Sequence, residues 1–369
     1  MKIKKFFQNC FKKFFQILFN LIYGKIKQYE PNKNIDFIKK EVEKIKLKNQ
    51  EFKVENSVYE ISNSRVYTDL VEHVAIIKEN IILPDISYQQ ISGELKNSKF
   101  NKVLTTGTPR IIKNFNGSIL SLVQGASGNN FFHFLFDIVA KLKLCEEKIP
   151  LNKIDYFYLP GSAEWQKKII SVFGISEKKL IDSQKYRHIK ADRIIALDHP
   201  WYKQGFVQDE INNLPEWIIY FLREKFLNYS KEFKANEKIF IDRSDSNYNH
   251  CKLINNKEII DFLSKKGFKS YQVSKLDFFE QIYLFKNAKI IIGPHGAAFS
   301  NIIFSNPGLH LFELIPTSHS SMKCEKISKV LKFNYNRIKL EKIGSTNSTL
   351  GDMKIEVSQL ENILNSLKI

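Results

Sequence analysis

A glycine-rich turn follows a run of isoleucines in the C-terminal third of the chain. Residues 293–298 read GPHGAA, after a strand predicted at residues 289–292 and before a helix predicted to begin near Gly296. Small side chains such as Ala297 let a ligand approach the main chain, and N–H groups at a helix start favour a phosphate. His295 adds a hydrogen bond, or a charge when protonated. The pattern predicts an anion-binding site. The alternative is a tight turn whose glycines only permit close packing.

Two cations and a carboxylate accompany this turn in the sequence. Arg243 leaves the strand predicted at residues 238–241, and Lys252 follows shortly after. Because a guanidinium is a planar fork, Arg243 could clamp a diphosphate, while a surface salt bridge to a neighbouring aspartate is the alternative. Glu313 lies at the carboxyl end of the next predicted strand, where a carboxylate is suited to binding ribose hydroxyls.

A histidine and an aspartate lie four residues apart in a predicted helix over residues 129–147. His133 and Asp137 share one helix face, so the imidazole lies beside the carboxylate and could be oriented for general base catalysis. A buried structural hydrogen bond gives the same spacing. Asn129 and Asn130, at the start of this helix, are predicted to lie on the acceptor side.

Three segments in a fixed order carry a family resemblance. The segments NNFFHFLFD, IDRSD and FFEQIYLFKNAKIIIGPHGAAFSNIIFSNPGLHLFELIP resemble glycosyltransferase family 61, whose bacterial members include capsular polysaccharide biosynthesis proteins. The resemblance covers residues 127–316. One departure is Lys252, which stands where the family tends to have an arginine pair. A point charge there replaces a planar fork.

The resemblance implies an α/β fold of GT-B type, with two Rossmann-like domains facing across a cleft and the nucleotide held by the C-terminal one. It also implies inversion at the anomeric carbon without an obligatory metal or other cofactor. The sequence agrees, because it contains no Asp-x-Asp triplet for a divalent cation. Cationic side chains and a helix start would then stabilise the leaving diphosphate.

Alternating strand and helix patterns predict how the chain is divided. Strands and helices alternate regularly beyond residue 236, which predicts right-handed crossovers and a parallel sheet that binds ligands at its carboxyl edge. A polar segment after a predicted long helix (residues 209–229) marks the boundary. The predicted parts are an amphipathic helix (1–30), a connector (31–55), an acceptor-side domain (56–232), a nucleotide-sugar domain (233–345) and a C-terminal helix packing on the body (346–369).

The charge of the chain is concentrated at its N-terminus. The formal net charge is +18, and residues 1–50 contribute 13 lysines against four acids. No helix-turn-helix, zinc-finger or RNA-binding pattern accompanies this charge, so nucleic acid is not an expected partner. The four cysteines are widely spaced, which predicts neither a zinc site nor a disulfide framework.

The first 30 residues predict a helix lying on a membrane surface. At helical spacing, one face collects apolar side chains and the other collects lysines and amides; the apolar set is Phe7, Phe11, Phe14, Leu18, Leu21 and Ile22, and the polar set is Lys5, Lys12, Lys13, Gln16 and Asn20. The longest uncharged run is too short to span a bilayer. Bulky apolar groups opposite lysines are typical of helices in the headgroup region of anionic membranes. A helix packed on its own protein is the alternative.

These observations favour an inverting glycosyltransferase on the inner face of the plasma membrane. It would move a sugar from a nucleotide-sugar, UDP-linked by preference, to a glycan or lipid-linked glycan of the cell surface. Arg243, Lys252 and residues 295–297 would hold the diphosphate, Glu313 the ribose, and Asp137 or His133 would act as the base. A polysaccharide pyruvyl transferase and a non-catalytic scaffold of a polysaccharide assembly complex are the alternatives.

Overall fold

A computed structural model describes residues 2–30, 33, 41–47, 55–68, 73–91, 93–123, 128, 130–245, 251–343 and 351–366, with side chains from residue 10 onward and up to residue 365. The chain divides into two compact units, Met1–Trp217 and Ile218–Ile369. No helix in the described ranges is long and apolar enough to cross a membrane. Asn129, predicted to lie on the acceptor side, is outside the described residues, as are the side chains of Lys5 and Phe7.

The first unit is built on one large mixed sheet. Its strands are β1 Lys27–Gln28, β2 Val42–Lys46, β3 Ser57–Tyr67, β4 His73–Lys78, β5 Ile81–Ile82, β6 Tyr88–Ile91, β7 Glu94–Lys96, β8 Lys113–Ser121, β9 Tyr156–Leu159, β10 Leu180–Asp182, β11 His188–Leu197 and β12 Gly205–Phe206. The order along the sheet is β10-β9-β8-β11-β3-β4-β6-β7-β12. The first four strands of this order are mutually parallel, and β3 joins them antiparallel through β11. Only this parallel part matches the predicted Rossmann-like domain.

The helices of the first unit connect or flank these strands. They are α1 Lys2–Tyr23, α2 Val103–Thr106, α3 Phe131–His133, a π-helix Phe134–Val139, α4 Ala140–Glu146, α5 Glu164–Ser171 and α6 Val207–Glu210, with 3₁₀ turns Ser98–Phe100, Leu151–Lys153, Glu177–Lys179 and Ile211–Asn213. The predicted helix over residues 129–147 is thus three consecutive pieces. Every side chain of its π-helical part is buried.

Two sequence predictions for this unit are corrected. The predicted connector includes β2, which pairs antiparallel with β3 and buries Val42. The predicted long helix over residues 209–229 is interrupted, because Pro215 disfavours helical geometry at Leu214, whose φ and ψ are −53° and 119°. A new helix, α7 Glu216–Phe226, begins after the proline.

The second unit contains a five-stranded, wholly parallel sheet. Its strands are β13 Lys238–Ile241, β14 Lys269–Tyr271, β15 Ile290–Pro294, β16 His310–Pro316 and β17 Asn334–Leu340, and a separate pair is formed by β18 Lys342–Ile343 and β19 Asp352–Met353. The helices between and after them are α8 Asn256–Lys265, α9 Phe278–Asn287, a 3₁₀-helix Ala297–Phe304, α10 Lys323–Leu331 and α11 Val357–Ser366, with 3₁₀ turns Leu227–Tyr229 and Val273–Lys275. Strands buried on both faces explain the isoleucine-rich run of β15.

The sheet order of the second unit is β14-β13-β15-β16-β17. Numbered along the chain, this is 2-1-3-4-5, a doubly wound order whose direction reverses between β13 and β15. The residues of α7 mostly belong here, because Phe226 packs edge-on against Phe278 at 5.2 Å and Arg223 donates to the carbonyl of Ser305 at 2.7 Å. The division at Trp217 therefore lies upstream of the polar segment, residues 230–236, where the sequence suggested a boundary.

Candidate active site

In the second unit, the point where the strand order reverses brings two predicted residues together. Arg243 lies two residues beyond β13, and Gly296 lies two residues beyond β15. β13 and β15 are neighbours in parallel register, so both loops leave the same edge of the sheet. In open α/β sheets, ligands bind in the crevice at such a reversal. The structure therefore confirms that the arginine and the glycine turn are adjacent.

The main chain comes unusually close to its neighbours at both glycines of the turn. A Cβ placed on Gly293 would lie 2.7 Å from the Cβ of Ile241, and one placed on Gly296 would lie 1.3 Å from Nη1 of Arg243. The guanidinium therefore lies directly on the turn, in space that only glycine leaves open. Lys323 reaches the same turn from α10 and donates from Nζ to the carbonyl of Gly296 at 2.9 Å.

Asp242 anchors the loop that carries Arg243. Its carboxylate accepts hydrogen bonds from the amide of Ser244 at 2.9 Å, from Nδ2 of Asn256 at 2.9 Å and from Nε2 of Gln272 at 3.0 Å. Burial opposes ionisation, but these hydrogen bonds lower the pKa of Asp242 overall. The carboxylate is thus engaged by neutral donors that hold the loop, which gives it a role other than the salt bridge considered from sequence.

His295 and Glu313 form a buried pair beside the turn. Nδ1 of His295 hydrogen-bonds Oε1 of Glu313, and the hydroxyl of Tyr335 donates to Oε2 at 2.5 Å. Glu313 is 0% exposed and holds both oxygens in these bonds. An accessible carboxylate oxygen for a ribose is therefore missing from the described structure, and we revise the role of Glu313 from ribose binding to positioning of His295.

Burial and neighbouring charges set the protonation of this corner. Burial alone would raise the pKa of Glu313, but His295 and the hydrogen bonds of the carboxylate lower it to about 2. Burial lowers the pKa of His295, which favours the neutral ring and a hydrogen-bonding role rather than the positive charge considered from sequence. Burial also lowers the pKa values of Arg243 and Lys323. An arginine nevertheless stays charged in proteins.

The same corner has a donor set that could be read as a metal site. His295, Glu313 and Cys324 offer ligand atoms that all lie within 4.8 Å of one another. However, burial raises the pKa of the Cys324 thiol well above its ordinary value, whereas metal ligation requires the thiolate. The positive charges of Arg243 and Lys323 also act on this cluster, because both lower the pKa of His295. The charges therefore favour an anion over a cation.

Two other predicted donor residues occupy defined places. Ala297 begins the 3₁₀-helix that follows the turn, as expected for a phosphate-facing helix start. Lys252 is held through its main chain: its amide donates to Oδ1 of Asp352 at 3.2 Å, and its carbonyl accepts from the amide of Met353 at 2.8 Å. Its contact with a donor stays a prediction.

In the first unit, a second reversal of strand order carries the other predicted pair. The parallel strands lie in the order β10-β9-β8-β11, so the direction reverses between β8 and β11. α3 follows the loop after β8. Asn130 is its N-cap, and its side chain accepts from the amide of Phe132 at 3.0 Å. Asn130 is thus a capping residue, and a contact with the acceptor stays a prediction for Asn130 and Asn129 alike.

His133 and Asp137 contact each other as predicted. Nδ1 of His133 lies 2.8 Å from Oδ2 of Asp137. Asp137 is in the π-helical segment, a conformation that is rare and occurs frequently at functional sites. His133 is 6% exposed and Asp137 is 0% exposed. Because Asp137 uses Nδ1 of the ring, Nε2 is the nitrogen that can take a proton from a substrate.

The loop after β11 holds Asp137 from the opposite side. Nε1 of Trp201 donates to Oδ1 of Asp137 at 2.8 Å, and Nε2 of His199 lies 3.5 Å from Oδ2. Nδ1 of His199 accepts from the amides of Trp201 and Tyr202, both at 3.4 Å. This assigns the proton of His199 to Nε2, which therefore faces the carboxylate.

These contacts bear on the choice between the two candidate bases. Burial would raise the pKa of Asp137, but His199 and His133 lower it below its ordinary range. The carboxylate is ionised, enclosed and held by three side chains, so it orients and polarises His133. The geometry favours His133 as the base and Asp137 as its positioning partner, and both roles stay predictions.

Sequence reasoning did not single out His199, Trp201, Lys141 or Tyr88. Lys141 is buried and donates from Nζ to the hydroxyl of Tyr88 at 2.7 Å, and burial lowers its pKa to about 7. The available signal was Asp-His-Pro-Trp-Tyr directly after a predicted strand, which places polar and aromatic groups at a sheet edge. Tyr88 had no comparable signal, because it comes from a distant antiparallel strand.

Comparisons with known proteins bear on both sites. Residues 131–312 match the family model described as Glycosyltransferase 61, a range that contains the pair in the first unit and the glycine turn with Arg243 in the second. No curated protein matches the chain. Among solved structures, a flavo di-iron protein from Thermotoga maritima is similar at 9% identity and a TM-score of 0.25, covering 89% of this chain and 98% of that one. That likeness is too weak to carry an argument. The match over residues 131–312 favours a glycosyltransferase over the pyruvyl transferase and scaffold alternatives, and on this finding the protein is a glycosyltransferase.

Proposed function

We propose that this enzyme transfers a sugar from a nucleotide-sugar, UDP-linked by preference, to a surface glycan with inversion and without a metal. The observation that carries the proposal is that two cationic side chains meet at Gly296. Arg243 lies where a side chain of residue 296 would be, and Lys323 donates to the carbonyl of Gly296. A part-buried arginine and a buried lysine at a main-chain turn where strand order reverses are suited to a diphosphate.

In this proposal, the donor is held by the second unit. The guanidinium of Arg243, Lys252 and the main chain of residues 295–297 bind the diphosphate, and the ribose lies beyond them. Glu313 and Tyr335 fix the ring of His295 in its hydrogen-bonding orientation. Fixed cations stabilise the negative charge that develops on the leaving diphosphate, the task that a metal performs in other transferases.

The acceptor is activated by the first unit. Nε2 of His133 takes the proton from the acceptor hydroxyl while that oxygen forms the new bond to the anomeric carbon. The bond between the anomeric carbon and the diphosphate oxygen breaks with its electron pair moving to the nucleoside diphosphate. One displacement of this kind inverts the anomeric centre. A donor in one unit and an acceptor base in the other is the division of labour of the GT-B class.

The N-terminal helix supports a membrane-surface location. α1 contacts the rest of its unit through Phe19, which is 9% exposed, and through Gln16, whose side-chain amide donates to the carbonyl of Thr105. Its apolar face points away, with Phe11 65%, Phe14 61% and Leu21 80% exposed. The helix thus packs on the body without covering its apolar face. We propose that this face lies in an anionic leaflet at the inner side of the plasma membrane, beside lipid-linked acceptors of a capsule, lipopolysaccharide or exopolysaccharide.

The proposal is tested by donor binding and by transfer. Thermal unfolding with UDP-, GDP- and CMP-sugars should show stabilisation by one class, and a donor at 100 times its Kd stabilises by about 2.7 kcal/mol. Release of nucleoside diphosphate without added metal, and in the presence of EDTA, should continue with a suitable acceptor glycan. Absence of stabilisation by every nucleotide-sugar, or complete loss of transfer in EDTA, would contradict it.

A further inference from the structure

A groove of about 870 Å³ lies between α1 and the main body of the first unit, and its lining includes no residue of either pair described above. One wall is formed by α1, and the other by the segment before β8 and the segment before β11. Its apolar lining includes Phe11, Phe15, Phe19 and Ile112. This volume falls within the range of clefts that hold small molecules.

The wall formed by α1 is fixed to the unit at its C-terminal end. The amide of Ile112 donates to the hydroxyl of Tyr23 at 3.3 Å, and the ring of Tyr23 packs edge-on against His188 at 5.4 Å. A Cβ on Gly107 would lie 2.2 Å from Oδ1 of Asn20, so the helix approaches this turn very closely. The groove therefore has two defined sides.

The charged lining of the groove is of one sign. Five cations line it, and its lining contains no aspartate or glutamate; they are Lys12, Arg110, Lys113, Lys185 and Arg187. Four of the five are exposed, and Arg187 is partly buried. An aromatic floor below a basic rim is complementary to a molecule that joins a hydrocarbon chain to a phosphate.

We infer that this groove binds one anionic membrane phospholipid, with an acyl chain along the phenylalanines and the phosphate between Arg110 and Lys185. The groove is continuous with α1, whose outer apolar face is exposed, so a lipid can enter it from a leaflet in which α1 lies. The site goes beyond the proposed sugar transfer. It makes docking selective for anionic lipid, whereas α1 alone would respond only to surface charge and apolar area.

The test uses dihexanoyl phosphatidylglycerol below its micelle concentration, with the full chain, by calorimetry and native mass spectrometry. We expect one lipid bound per chain, with dihexanoyl phosphatidylcholine and inorganic phosphate each binding at least about tenfold more weakly. Equal binding of phosphatidylcholine would overturn the selectivity, and equal binding of phosphate alone would make this a phosphate site rather than a lipid site.

Charge-reversal variants locate the bound lipid. Arg110→Glu with Lys185→Glu should weaken phosphatidylglycerol binding about tenfold or more, since each basic group near an anionic surface contributes substantially. The matched control, Lys153→Glu with Lys178→Glu, changes two exposed lysines of the same unit outside the groove lining and should leave binding within about twofold. Equal losses in both pairs would overturn the assignment.

An apolar variant keeps the inference falsifiable if charge reversal disturbs folding. Phe11 is largely exposed yet lines the groove, so Phe11→Ser should preserve the thermal transition while weakening binding of a dioctanoyl lipid more than that of a dihexanoyl lipid. The same loss for both chain lengths would exclude the aromatic floor as the chain site. Transfer to a soluble acceptor, measured in parallel, reports on the proposed function independently of lipid.

Discussion

The two units carry histidine–carboxylate pairs that share a geometry and differ in their surroundings. In each pair Nδ1 of the histidine meets a carboxylate that is 0% exposed, at a reversal of strand order. Around Asp137 the other hydrogen-bonding groups are the neutral indole of Trp201 and His199, whose pKa burial lowers to about 4. Around Glu313 the pair faces the cations of Arg243 and Lys323.

This difference shows how similar pairs can serve unlike chemistry. In the first unit Lys141 is close to the pair, and its pKa of about 7 means that it is readily deprotonated. The pair can therefore exchange a proton without a permanent positive charge beside it. In the second unit a guanidinium remains charged and lies on the glycine turn, so the pair supports anion binding. On the proposed roles, charge in the surroundings, rather than the pair itself, separates a base from a binding site.

The largest expected effect comes from breaking the pair in the first unit. Asp137→Asn leaves a similar shape but removes the charge that orients and polarises His133, and His133→Ala removes the base. Each should lower kcat by about 10²–10⁴-fold, with donor Kd changed less than about twofold. Steady-state transfer kinetics check this against Asp261→Asn, an exposed control. Near wild-type turnover in both variants would remove the base assignment.

Breaking the pair in the second unit should act on stability. Glu313→Gln leaves His295 and Tyr335 without their charged acceptor, which should lower the free energy of unfolding by about 2–4 kcal/mol at pH 7. The folded-state pKa of Glu313 is about 2, below its ordinary 4.5, so the unfolded state takes up a proton first as the pH falls. The wild-type advantage is therefore present above about pH 5 and lost toward pH 2.

Denaturant unfolding at pH 7, 4 and 3 measures this difference between wild type and Glu313→Gln. Glu224→Gln, at an exposed helix position, is the matched control and should show little difference at any of these pH values. A gap between wild type and Glu313→Gln that does not change with pH would count against an ionised Glu313 in the folded state.

The smallest expected effect sharpens the anion-binding side of the comparison. Arg243→Lys keeps a charge but loses the fork and should weaken donor binding about tenfold, or about 1.4 kcal/mol. Gly296→Ala should do the same, because its Cβ would overlap Nη1 of Arg243. Since both act on one guanidinium, the double variant should bind little more weakly than either single variant. Strictly additive losses in donor titrations would separate the two residues, and Arg193→Lys serves as a surface control.

Sequence reasoning found residues that lie at both reversals of strand order, although it did not predict the reversals or every contact made there. The spacing of His133 and Asp137 and the order of Arg243 and the glycine turn are local or follow strand order, so they could be predicted. The hydrogen bond from Trp201 to Asp137 could not be predicted. Trp201 is 64 residues away from Asp137 in the chain and reaches it only when β8 and β11 pair. Glu313 was assigned to the correct strand but lies in the middle of β16 rather than at its end, and its enclosure by Tyr335 depends on β17 lying beside β16.

The amino-acid sequence by itself determined the helical pairing of His133 with Asp137, the parallel sheet of the second unit and the family resemblance, because periodicity and short motifs are local properties. Tertiary structure alone decided which groups hold Asp137, that Glu313 is enclosed, and that α1 keeps its apolar face exposed. Those outcomes depend on burial and on charges from distant strands, which set hydrogen bonds and pKa values only after the sheets have formed.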